Sequence, residues 1–447
     1  MLPGPLGEVE LLLPLVDNSE RSRHHEARRT GLMRRLDMGS PTDSARKFVR
    51  FVPLVVCLVF LATTRDVSFD QTKKSLASAK NVRLVAEKVI DHNSFFLAAI
   101  VASQQVIENP EKPLSAKAGR VIRLKEISRI TDEEGKFFFV EPWDVFAGRD
   151  GSVYVQEPKR LLKFGGNGKF VKNLLKWGEG PGELNDNLTG VIVREDDIIL
   201  YSSNIMKLVR IDTDGKLIED KKFSKGPFGS FLGYHNGKFF MMKRVWEDMP
   251  KISGLYEAKN RLIVVTEKEE VIETSFLLPT TQSRYIQLGG RMASGGGISR
   301  PMTLRESERY VFLFHTPEYL IKILDLEKSE IVLGFRRKYD RVRYAPAEKI
   351  PEGYPIPKYH NDLCRLLWHK GRLWAVTSTF DKNKGILVDV FNREGQYLDN
   401  FYLPLFKIRR NNPQYYAPMA IAGNFLYLLE ADEEDLISLI KYEIVGE

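Results

Sequence analysis

Downstream of Gly119 the chain alternates between short runs of Val, Ile, Leu, Tyr and Phe and turns built from Gly, Asp, Asn and Lys. Short apolar runs bounded by such turn formers predict strands joined in hairpins. One unit recurs, a polar or glycine turn leading into an apolar strand. It occurs at residues 151–155 (GSVYV), 197–201 (DIILY), 237–242 (GKFFMM), 309–314 (RYVFLF), 371–376 (GRLWAV) and 423–429 (GNFLYLL). A second unit is a hairpin with a charged or glycine tip, as in residues 162–171 (LKFGGNGKFV) and 209–218 (VRIDTDGKLI). Residues 264–272, 322–332 and 390–398 follow the same plan. Asp-Gly and Asn-Gly tips supply the positive backbone angles that tight hairpins need.

Upstream the texture changes. Residues 1–47 are polar and Arg-rich without sustained periodicity, and they read as a disordered basic extension. Met33 or Met38 would be a more ordinary start for an export signal, so the first 32 to 37 residues read as an over-long gene start. Residues 51–62 (FVPLVVCLVFLA) form an uncharged apolar run behind Arg46, Lys47 and Arg50. A run of this length fits the hydrophobic region of a signal peptide and falls short of the ~20 residues of a spanning helix. Residues 48–64 are therefore expected to be a signal peptide or an uncleaved signal anchor, with the basic residues on the cytoplasmic side. The spacing of Leu76, Val82, Val85, Val89 and Ile90 is loosely helical, and residues 65–118 are expected to be a partly helical spacer. Residues 119–447 are then one all-β domain.

The strand units lie roughly 40 to 70 residues apart, the range of four-stranded propeller blades. A unit with one apolar strand cannot bury both faces alone, and stacking units around an axis buries them while leaving only short edges. Six units predict a six-bladed β-propeller. Closure supports this. The last unit offers strands near residues 419–421, 425–429 and 436–444 and lacks a fourth, whereas residues 121–130 (VIRLKEISRI) are a spare strand ahead of the first unit. Lending that strand to the last blade completes the ring.

Residues 139–155 (FVEPWDVFAGRDGSVYV) resemble an NHL-type repeat, and residues 177–183 (WGEGPGE) resemble the Gly-x-Gly-Pro-Gly-Glu loop of bacterial six-bladed propellers of the NHL and TolB-like group. The resemblance covers about residues 139–223. It implies the fold, and a structural role for Gly178, Gly180, Pro181, Gly182 and Glu183. It implies little about activity, because that group consists mostly of exported proteins of unassigned role. Gln156 and Ser202 stand where the group often has Asp after the Tyr-Val strand.

Composition narrows the function classes. Two Cys in 447 residues exclude a disulfide scaffold and a Cys-based zinc module. The net charge of +8 is small for this length and does not call for nucleic acid. The glycine-rich segments at 178–183 and 289–297 lack the helix and Lys-Ser/Thr of a phosphate cradle. They read as a structural turn and a connection between blades. Basic residues with interleaved aromatics, Arg336, Arg337, Lys338, Arg341 and Arg343 and then Lys407, Arg409 and Arg410, read as solvated rims.

Glu141 and Trp143 precede one expected inner strand, and His360, Asn361 and Asp362 precede another. These five are the candidate ligand-binding residues at a channel mouth. The favoured function is an exported, periplasmic or extracellular binding module, held in the inner membrane by residues 48–64 if that segment is not cleaved. It would act as a monomer on a protein, peptide or glycan of the cell envelope, without cofactor or nucleic acid. The alternative is a Ca²⁺-dependent hydrolase. Glu141 occupies a place similar to the acidic ligand of gluconolactonase-like propellers, and that resemblance implies Glu141, Asn361 and Asp362 as the Ca²⁺ set.

Overall fold

The computed structural model describes residues 106–132, 136–224, 229–247, 250–288, 290–299, 302–314, 318–346, 353–406, 418–432 and 436–446. The basic extension, the apolar run with Cys57, residues 65–105 of the expected spacer, and Lys407, Arg409 and Arg410 lie outside the described residues.

Among the described residues every regular element is a strand, and the strands form six sheets of four or five and one separate parallel pair, Lys176–Trp177 with Glu183–Leu184. Sheet I comprises Asp144–Ala147, Val153–Glu157, Arg160–Phe164 and Phe170–Asn173. Sheet II comprises Gly190–Val193, Asp197–Ser202, Lys207–Asp212 and Leu217–Lys222. Sheet III is longer: Ser230–His235, Lys238–Val245, Gly254–Thr266, Val271–Leu288 and Arg291–Ser299. Sheet IV has Met302–Arg305, Tyr310–Phe314, Ile321–Asp325 and Glu330–Arg337. Sheet V has Leu363–His369, Arg372–Asp381, Gly385–Phe391 and Tyr397–Leu403. Sheet VI has Met419–Ala422, Phe425–Ala431 and Ile437–Val445, with Arg123–Ile130 as its fourth strand. Within each sheet, strands consecutive in the chain are antiparallel neighbours. The six repeated apolar runs are the second strands of the six sheets.

Strand periodicity explains the packing. In Val153–Glu157, Val153 and Val155 pack toward sheet VI, with Ala420, Tyr427 and Leu429, whereas Tyr154 packs toward sheet II, with Ile198, Leu200 and Val209. Odd and even side chains of one strand thus enter different cores. This is why the second strands read as unbroken apolar runs and are buried on both faces. Further cores lie between sheets II and III, III and IV, IV and V, and V and VI. The core between sheets VI and I closes the circuit, and the architecture is a β-propeller. Cys364 is a fully buried, unoxidised member of the core between sheets V and VI.

Closure occurs as the sequence predicts. Arg123–Ile130 pairs antiparallel with the last strand, from Leu439↔Ile130 to Val445↔Arg123. The segment before it differs from the expected spacer. Val106–Asn109 adds a parallel strand to the outer edge of sheet IV, and Arg120–Val121 adds one to sheet V. Asn109 fixes the first addition. Its Nδ2 donates to the carbonyls of Arg336 and Gly395, and its Oδ1 accepts from the Tyr397 amide. The segment 106–130 therefore runs along sheets IV, V and VI in order.

Residues 289–297 are a second difference. They are not a connection between blades. Arg291 pairs with Leu288, so the chain reverses within two residues, with Gly290 at φ 79°, and residues 291–299 form the fifth strand of sheet III. The turn chemistry that reads as a loose loop is that of a tight hairpin.

Candidate functional site

The first strand of every sheet borders one central cavity of about 750 Å³. Val145, Val191, Phe231, Thr303, Leu366 and Ala420 represent the six sheets on its wall. That volume is in the range of small-molecule sites. Its lining mixes apolar groups, among them Trp143, Phe146, Met302, Trp368 and Met419, with a few charged and amide side chains.

Arg365, from the first strand of sheet V, joins three sheets. Its Nη1 donates to Asp144 of sheet I at 2.9 Å, its Nε to the Met419 carbonyl of sheet VI at 3.0 Å, and its Nη2 to the Val145 carbonyl at 3.4 Å. The other charged wall residues are Arg149, paired with Glu195 at 2.6 Å, Glu306, paired with Arg393 at 2.7 Å, and Arg305. Arg305 Nη2 donates to the carbonyls of Tyr234 and Glu308. Burial, helped by the Arg194 charge nearby, lowers the Arg305 pKa to about 10. Gln156 donates to the Leu188 carbonyl at 2.7 Å and so ties sheet I to the connection entering sheet II, in the place where the resembling group has Asp. Ser202, the other departure, is fully buried and its hydroxyl has no partner among the described residues.

Of the five nominated residues, Trp143 lines the cavity and the other four do not. Glu141 is exposed and accepts from the Trp143 indole at 3.1 Å. His360, Asn361 and Asp362 are buried just before the first strand of sheet V. The His360 ring meets Tyr344 edge-on, and Asp362 accepts from Arg341 Nε at 2.9 Å. Burial raises the Asp362 pKa to about 6, outweighing the opposing pull of Arg341. Among the described residues no three His, Cys, Asp or Glu side chains gather as a metal site requires.

The loop at 178–183 is a turn folded on itself. Glu183 accepts from the Gly180 amide, and a Cβ at Gly178 would stand 2.1 Å from the Glu183 carboxylate. Gly182, at φ 76°, donates its amide to Asp220 of sheet II. The basic rim is likewise engaged. Arg337 is buried against Asp389, Arg336 pairs with Glu108, and Lys338 pairs with Glu111.

Beside the cavity, Phe138, Val140, Trp143 and Trp177 are exposed around the turn between the second and third strands of sheet I. Arg160 lies over the Phe138 ring at 5.2 Å and Lys159 over Trp177 at 4.8 Å. The sequence reading missed Asp144, Arg305 and Arg365. Each sits in a first strand, and the repeat draws attention to the second strand instead. Counting back across each hairpin from the apolar run would have found them.

No family model and no curated protein matches the chain. Among solved structures, it is similar to a protein of Bacteroides fragilis NCTC 9343 inferred to be exported. That match has 12% identity and a TM-score of 0.47, and covers 76% of this chain and 100% of the other. It is also similar to a DUF4221 family member from Bacteroides vulgatus, at 12% identity and TM-score 0.45, covering 73% and 99%. A streptogramin B lyase follows at 10% identity and TM-score 0.37, covering 74% and 100%. None of these likenesses extends to an activity, and the fold stands on the strand pairing and the six intersheet cores.

Proposed function

We propose that the six sheets are the six blades of a closed propeller and that the protein is an exported binding module taking its ligand at the central channel. One observation carries this reading: a cavity bordered by the first strand of every sheet, with apolar walls and a small number of fixed polar groups. Sites of that composition hold small molecules or the end of a peptide or glycan. The exposed aromatic residues around Trp143 support a partner larger than the cavity, since Trp and Tyr-like surfaces with polar edges dominate binding energy at interfaces. Export rests on the apolar run of residues 51–62 behind Arg46, Lys47 and Arg50.

The test is ligand-dependent stabilisation. The full chain is screened by thermal unfolding against peptides and oligosaccharides. A binder is expected to raise the midpoint saturably. Thr303→Trp, which fills the cavity from an accessible wall position, is expected to abolish that rise and leave the ligand-free midpoint near its original value. Equal stabilisation of Thr303→Trp by the same ligand would remove the channel from the reading.

A further inference from the structure

We propose that the channel selects a small organic anion, with Arg305 supplying the attraction; this rests on the channel being the ligand site. The argument begins with charge balance on the wall. Arg365 is answered by Asp144, Glu306 by Arg393, and Arg149 by Glu195. Arg305 is answered by no carboxylate among the described residues. Its Nη2 meets only main-chain carbonyls, and its Nη1 is buried without a partner.

Its position is built for this. Nη1 rests beside Gly233 and Leu326 at the seam of sheets III and IV, and a Cβ at Gly233 would stand 3.0 Å from both. Nη1 is covered there and Nη2 is held by its two carbonyls, so Arg305 acts on the cavity it lines through the field of a fixed charge. Arg194, the nearest cation, already spends its charge on Asp197. Burial is the main cause of the lowered Arg305 pKa, Arg194 adds to it, and the more distant charges of Glu308 and Asp197 offset it only in part. A buried charge without a counter-ion is costly, and the cavity is the adjoining space in which a negative group can lie. The aromatic and methionine side chains on the other walls favour an apolar body attached to that negative group.

A matched pair of probes separates charge from shape. Binding of 4-fluorobenzoate and of neutral 4-fluorobenzamide to the full chain is followed by ¹⁹F line broadening at fixed ionic strength. The benzoate is expected to bind about tenfold more tightly, the scale of attraction to one fixed charge at short range inside a protein. In Arg305→Met the two affinities are expected to converge, and in Arg305→Lys the preference for benzoate is expected to return. Should the Met variant fail to fold, Arg305→Gln, which keeps hydrogen-bond donors without the charge, takes its place, and a preference for benzoate that survives in it overturns the role of Arg305. Equal binding of both probes to the unaltered chain overturns anion selection while leaving the channel as a binding site. A preference for benzoate that survives in Arg305→Met overturns the role of Arg305. Binding of both probes that is unaffected by Thr303→Trp places them outside the channel, and then the reading beneath the proposal falls as well.

Discussion

Asp389 is wholly buried and accepts from the hydroxyls of Tyr319 and Tyr397 and from Arg337 Nε, at 2.8, 2.7 and 2.8 Å. The Arg337 guanidinium in turn lies within 5.0 to 5.3 Å of three tyrosine rings, those of Tyr319, Tyr339 and Tyr397. Burial opposes the Arg337 charge, but Asp389 outweighs it and raises the pKa of the guanidinium. Removing one partner of such a pair strands the other in the core. Asp389→Ala is expected to cost about 3–5 kcal/mol in equilibrium unfolding by urea. A loss below about 1 kcal/mol would mean that Arg337 finds water in the variant. Asp362 behaves differently, since burial raises its pKa to about 6. The folded chain then keeps a proton that the unfolded chain has already released. The contribution of Asp362 to stability is full below about pH 4, falls by about 3 kcal/mol as pH rises to 6 and is level above that, whereas Asp197 and Asp325, held low against burial by their arginine partners, contribute in the opposite sense at acid pH. Asp362→Asn is expected to lose this slope in a series of unfolding midpoints against pH, and an unchanged slope would assign it to other carboxylates. The Arg337–Asp389 pair was not legible beforehand. Arg337 belongs to a basic run that reads as solvated, and Asp389 is one polar residue within an apolar strand. Their meeting depends on the packing of sheet IV against sheet V, which no local pattern encodes.

Elements divide by how much of their pairing is local. Second and third strands were legible because each is flanked by turn residues and joined to its neighbour by a short hairpin. The parallel additions at Val106–Asn109 and Arg120–Val121 were not, because they are short and half-exposed and their partners lie more than 200 positions later. An edge strand with solvent on one side carries little hydrophobic signal. Asn109 supplies what side-chain burial does not. Asn109→Ala removes three hydrogen bonds to the edges of sheets IV and V, a loss of about 1–3 kcal/mol confined to that element. Hydrogen exchange is expected to quicken at residues 106–109 and stay unchanged in Arg160–Phe164 of sheet I. Faster exchange in both would show that the edge strand supports the whole fold. Sheet III has a fifth strand and long central strands, where the sequence predicts a four-stranded blade. Its third and fourth strands extend beyond the intersheet core, and Pro279 in the fourth strand and the glycines at 295–297 in the fifth obscure them in sequence.

For the whole molecule, the missing fourth strand of the last unit was the sequence feature that reached furthest, because it required a partner from the other end of the chain. Arg123–Ile130 provides it and buries Leu124 against the core between sheets V and VI. A chain beginning at residue 131 is expected to expose that core, bind a hydrophobic dye and associate, whereas one beginning at residue 104 should unfold with the midpoint of the full chain. Indistinguishable unfolding of the two would show that the ring holds without its closing strand. The pairing of Ile130 with Leu439 also has a consequence in time. A contact between residues roughly 300 positions apart is entropically late. During synthesis the N-terminal strand has no partner until the last strand has emerged, so the chain cannot lock into its final form while it is still being made. On the export proposed above, that delay has a use: the order of the strands keeps the chain passable through a narrow pore until its far end has crossed.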